Sequence, residues 1–223
     1  VRPDSNLFYP AAPILYTMSN PFLSDDPGIR PRRPMLALVL GNTMLSTVPG
    51  ISGAGPSPEK TLLTPNLDAE LVTTGAITSV AARPNTPTGC PTPATITRSM
   101  VELTGLCPVI INAGLANTPT VPCIDVYGSP GGDPRKEDAV PQAAALFERG
   151  EAVGRLLSQY SDFLMLGECV PGGTTTALCV LRALGYDASV SSAFIENPIG
   201  LKDAVCREAL ARIEATGARE PLE

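Results

Sequence analysis

The sequence predicts an α/β fold, a Rossmann-like and mostly parallel sheet flanked by helices, and three observations predict it. From Met35 onward, short apolar runs bounded by Gly and Pro alternate with longer amphipathic stretches. Residues 163–184 read as a strand, a glycine-rich loop and a helix in direct succession. The chain of 223 residues is 43% hydrophobic and 17% charged, enough apolar material for one sizeable core.

Residues 1–34 hold seven of the 24 prolines, at positions 3, 10, 13, 21, 27, 31 and 34, with no sustained period, and read as an extended leader. The domain itself is expected over residues 35–223. Met35 to Leu40 is a buried strand, followed by a glycine-rich loop from Pro49 to Pro56. A second strand is expected near Ala69 to Thr73. Thr92 caps a helix with Pro93 at its first position, with Ile96, Met100, Val101 and Leu103 on one face and Gly105 as its stop. Val109 to Asn112 and Val121 to Val126 read as further strands. A helix from about Pro141 to Gln159 places Leu146, Phe147, Val153, Leu156 and Leu157 on one side and feeds the strand Phe163 to Leu166. Residues 177–184 are apolar nearly all round, as in a helix packed beneath other layers. Asn197-Pro198 opens a last helix in which Leu201, Val205, Ala209 and Ile213 recur every four residues until Gly217.

Composition excludes several classes of function. A net charge of −6, with basic residues concentrated only at Arg30 to Arg33, argues against nucleic acid as a partner. The six cysteines are widely spread without a C-x-x-C pair and the chain has no His, so neither a metal site nor a cofactor is expected and the cysteines read as reduced thiols. No stretch reaches eighteen apolar residues, so no membrane partner is expected and the location read from the sequence is cytoplasmic. Without His, acid-base work falls to carboxylates, Cys, Lys or Tyr.

The informative segment is Gly167 to Thr176, between strand and helix. Glycines let backbone N–H groups approach an anion, threonine hydroxyls add donors, and a helix start supplies unpaired N–H groups. Two readings stand: a phosphate cradle, or a tight turn capped by threonines. It is no Walker A loop, because Gly173 stands where the phosphate-contacting Lys belongs. Glu168 lies at a strand's carboxyl end, where open α/β sheets gather ligands. Lys202, one of three lysines, falls early in the last helix and reads either as a ligand contact or as a solvated charge. Cys169, near a helix start, reads as packing rather than as an activated thiol.

The segments TVPGISGAGPSPE (47–59), GCPTPATITRSMVEL (89–103), INAGL (111–115), GSPGGD (128–133) and GECVPGGTTTALCVLRALGYD (167–187) closely resemble the nicotinate mononucleotide-dependent phosphoribosyltransferases, in particular their archaeal and cyanobacterial branch. The resemblance implies a homodimeric enzyme of cobamide lower-ligand assembly. Its small-molecule substrates would be nicotinate mononucleotide and a benzimidazole-type base, its products α-ribazole phosphate and nicotinate. Carried over by position, it implies that Glu168, Gly172, Gly173, Thr174 and Thr175 surround the ribose phosphate, that Lys202 contacts that phosphate, and that Ser191 and Ser192 belong to the ribotide loop. Thr92 to Ser99 would enter the base pocket, with Thr92 and Ser99 as its polar contacts. The family's C-terminal part, which carries the Glu assigned as general base, is expected to be missing here. Glu168 is then the candidate catalytic carboxylate, and the alternative is a non-catalytic ribotide-binding fragment or regulatory module.

Overall fold

The computed structural model describes residues 28–85 and 89–217. The chain divides between Pro31 and Arg32, and every element below belongs to the unit that starts at Arg32. Most of the proline-rich segment 1–34, namely residues 1–27, lies outside the described residues.

The sheet opens with β1 (Pro34–Leu40), and a 3-10 turn follows at Met44–Thr47. Next come α1 (Pro58–Thr61), α2 (Thr64–Thr74), α3 (Ala94–Thr104), β2 (Val109–Asn112) and β3 (Ile124–Asp125). The chain then forms α4 (Ala143–Ser158), β4 (Phe163–Cys169), α5 (Gly173–Ala183) and α6 (Ile199–Thr216). The four strands are all parallel in the order β3-β2-β1-β4, so the expected Rossmann-like sheet is present. The chain runs outward from β1 to β3 and returns on the other side of β1, which makes the carboxyl ends of β1 and β4 a topological switch point.

Alternation along the strands divides the core. Ala37 and Val39 face α4 with Ile111, Leu146, Val153 and Leu157, whereas Leu36, Leu38 and Leu40 face α2 and α3. A third cluster joins Leu45 and Ile51 to α5 and α6 through Leu178, Cys179, Val205, Cys206 and Ala209.

Several expectations are corrected. The strand expected near Ala69 to Thr73 is part of α2: the β-branched Val72, Thr73 and Thr74 favour strand, but both threonine hydroxyls donate back to helix carbonyls, Thr73 to Ala69 at 2.7 Å and Thr74 to Glu70 at 2.8 Å. The strand expected at Val121 to Val126 shrinks to Ile124–Asp125, since Pro122 has no N–H to give a ladder. In α3, Thr92 is no cap; Pro93 holds that position and no side chain caps the helix. Its buried residues are Ala94 and Val101, while Ile96, at 69% exposure, Met100 and Leu103 face outward. Phe147 and Leu156 of α4, and Val180 of α5 with Leu184 just after it, are likewise exposed. In α6 the inward face runs through Lys202, Val205, Cys206 and Ala209, and Leu201 lies outside it.

One buried carboxylate holds a turn in place. Glu70 accepts from the hydroxyls of Thr78 at 2.5 Å and Ser79 at 2.7 Å, and from their backbone N–H groups at 2.9 and 3.0 Å. The two hydroxyls, more than the backbone donors, hold its carboxyl below the usual carboxylate range. A depressed folded-state value stabilises the protein above the unfolded pKa and is lost as pH falls through the folded one. Glu70→Gln is therefore expected to cost about 2 kcal/mol at neutral pH. Urea denaturation should show the gap to wild type closing in acid; a pH-independent gap would mean that the loss is steric.

Candidate functional site

The loops at the switch point are locked together by backbone contacts. Gly41 N–H donates to the Cys169 carbonyl at 3.2 Å, Asn42 N–H to Gly114 at 2.9 Å and Met44 N–H to Gly131 at 2.7 Å. Gly172, in the left-handed region at φ 82°, caps the start of α5, and a Cβ there would lie 3.0 Å from Ser46 N and 3.1 Å from Thr43. Glycine is required at this position by conformation and by closeness alike. The loop 49–56 also packs against predicted site residues: a Cβ on Gly53 would reach Phe194 at 3.3 Å, and one on Gly50 would reach Leu201 at 3.2 Å.

Lys202 is fully buried, so the solvated-charge reading is wrong. Its Nζ donates to the Ser191 carbonyl at 2.5 Å and to Thr174 Oγ1 at 3.2 Å. It therefore joins α6, the 185–198 loop and the first turn of α5. Burial lowers the pKa of its ammonium, and no carboxylate among the described residues pairs with it. Within the same turn, the hydroxyls of Thr175 and Thr176 are buried and have no hydrogen-bond partner. A buried cation without a counter-charge, beside two unclaimed hydroxyls and the start of an eleven-residue helix, suits an anion.

The remaining predicted residues divide. Glu168, exposed in register with Val39, points to the sheet face opposite its neighbour Cys169. A Cβ on Gly173 would meet Val170 at 3.2 Å, so this glycine fits against its own loop. Ser192 Oγ accepts from Phe194 N–H at 3.3 Å. Ser99 is exposed and donates to Thr95 on its own helix, and it joins none of the other predicted residues. Thr92 instead donates to Asp68 Oδ1 at 3.1 Å.

Asp68, on α2, is a residue that the sequence does not single out. The Cys169 thiol donates to its Oδ2 at 3.4 Å. Burial pushes the Asp68 carboxyl up, against the opposing hydrogen bonds from Cys169 and Thr92. Cys169 is raised well above an ordinary thiol by burial, then by the Asp68 charge, so it is no activated nucleophile. A larger cleft, about 1210 Å³, opens between the start of α4 and the later halves of α5 and α6, and none of the predicted site residues lines it.

This is an open α/β sheet with an anion-ready turn at its switch point. No family model matches the chain. It is 45% identical over 182 residues to a UPF0284 protein of Methanosarcina acetivorans, covering 81% of this chain and 52% of that one. It is 44% identical over 179 residues to UPF0284 protein SSO2213 of Saccharolobus solfataricus (79% and 52%), and 40% identical over 202 residues to a UPF0284 protein of Archaeoglobus fulgidus (90% and 59%). The chain thus spans just over half the length of these curated relatives. Among solved structures its fold is that of CobT from Thermus thermophilus, with a TM-score of 0.55 at 16% identity, covering 85% of this chain and 52% of that one. Among the described residues no helix is long and apolar enough to cross a membrane.

Proposed function

We propose that the protein transfers the phosphoribosyl group of nicotinate mononucleotide to a benzimidazole-type base, giving α-ribazole phosphate and nicotinate in cobamide lower-ligand assembly. The observation that carries this reading is the buried, uncompensated Lys202 on Thr174 and Ser191, at the start of α5. The ordered motifs and the CobT fold agree with it.

In this reading the ribotide phosphate sits at Gly172 to Thr175 and takes its counter-charge from Lys202. Nicotinate leaves ribose C1 as a neutral pyridine and needs no proton, so a site without His suffices. Glu168, at the carboxyl end of β4, faces the positive charge that develops on the ribose.

Calorimetric titration with nicotinate mononucleotide, with nicotinate riboside as the phosphate-free control, tests the site. Phosphate-dependent binding is expected, and a folded protein that binds neither overturns the reading. Because the chain spans about half of its relatives, a second reading is a ribotide-binding module without turnover. Nicotinate release in the presence of a benzimidazole separates the two.

A further inference from the structure

We propose that Asp68 is the proton acceptor for the incoming base, a role that rests on the transfer reading above. Its carboxylate lies where the two functional segments meet. One oxygen accepts from Thr92, at the entry to the base segment 92–99, and the other from Cys169, which directly follows Glu168 in the ribotide segment. It is this bridging position, between the base segment and the ribotide segment, that sets Asp68 apart from a carboxylate serving one element alone.

The two donors fix the carboxylate without saturating it. A carboxylate offers about four acceptor sites, and Thr92 and Cys169 take two of them. That leaves room on each oxygen for an azole N–H. The neighbours that set its charge are few: the thiol of Cys169 stays protonated and acts as a donor, and Thr92 is neutral. Burial raises the affinity of Asp68 for a proton, which suits a group that must accept one and release it again.

The step balances. The azole nitrogen attacks ribose C1 and forms the new C–N bond. The bond from C1 to the nicotinate nitrogen breaks, and its electron pair stays on nicotinate, which loses its positive charge. The azole N–H proton passes to the Asp68 carboxylate and from there to solvent. No oxidant, reductant or further reactant is needed.

Asp68→Asn keeps the shape of the side chain and removes the buried charge, so the variant is expected to fold and to melt no lower than wild type at neutral pH. It should bind nicotinate mononucleotide as wild type does, yet release nicotinate about 100-fold or more slowly with benzimidazole as acceptor. The deficit should shrink along a series of benzimidazoles whose N–H is made more acidic by halogen or nitro substituents, because a base that sheds its own proton needs no acceptor. A deficit constant across the series, or no deficit, overturns the role of Asp68. Wild type that binds the ribotide and releases no nicotinate also overturns it while leaving the ribotide site standing. Wild type that binds no ribotide overturns the underlying reading instead.

Discussion

Lys202→Met is expected to weaken the binding of nicotinate mononucleotide by about 2 to 3 kcal/mol, roughly 30- to 140-fold, while binding of nicotinate riboside stays as in wild type. In the ligand-free protein the ammonium is fully buried with only neutral acceptors, Thr174 and Ser191. That placement is costly: burial disfavours the charge, as the lowered pKa shows, and no carboxylate compensates it. A bound phosphate supplies the missing charge, so the interaction gained on binding is large. Methionine preserves the length of the side chain and carries no charge, so the loss of two hydrogen bonds is offset by relief from desolvation. The unliganded variant should therefore unfold within about 1 kcal/mol of wild type. Equal weakening of ribotide and riboside would assign Lys202 to the framework of α6 instead.

The strand-loop-helix unit at 163–184 was legible because each of its signals is local: a short apolar run, a glycine with no Cβ at the turn, and threonines at a helix start. The parallel sheet followed from the same alternation. What sequence could not show is where side chains end up when two segments far apart meet. Lys202 reads equally well as a solvated charge until α6 turns that face against Ser191 and Thr174. Asp68 was hidden for a related reason. The run from Ala69 to Thr73 has the β-branched content of a strand, and only the back-bonding of Thr73 and Thr74, with Gly75 as a left-handed cap at φ 84°, shows it to be helix. Thr92 reads as a cap from its place before Pro93, yet its hydroxyl is committed to Asp68, 24 residues earlier. The apolar spacing of Ile96, Met100 and Leu103 is real, but it marks the outward face of α3. Periodicity identifies a helix without identifying which side is covered.

The glycines of the INAGL and GSPGGD segments explain themselves only in three dimensions, and they give the second large effect. Gly128→Ala is expected to destabilise the protein by about 2 to 4 kcal/mol. A Cβ at Gly128 would run into the carbonyl of Ala113, with its carbon at 2.7 Å, and would crowd Leu146 at 3.1 Å. From the other side, Gly114, at φ 139°, leaves equally little room against the carbonyl of Ser129, whose carbon would lie at 2.8 Å. The loops after β2 and β3 thus touch backbone to backbone, and no flexible side chain is there to yield. The strain would not stay local. Val126 N–H on the Asn112 carbonyl at 3.0 Å holds one end of this contact, and Gly131 N–H on the Asn42 carbonyl at 2.8 Å passes it to the loop against which Gly172 packs. Ribotide binding should consequently weaken at temperatures where the variant is still folded. Gly150→Ala is the matched control: it sits within α4 with nothing inside 4 Å of the added carbon, and it should raise stability by about 0.5 to 1 kcal/mol. Thermal melts of the two variants decide the matter. If Gly128→Ala melts at the wild-type temperature, the two loops can separate and do not brace the switch point.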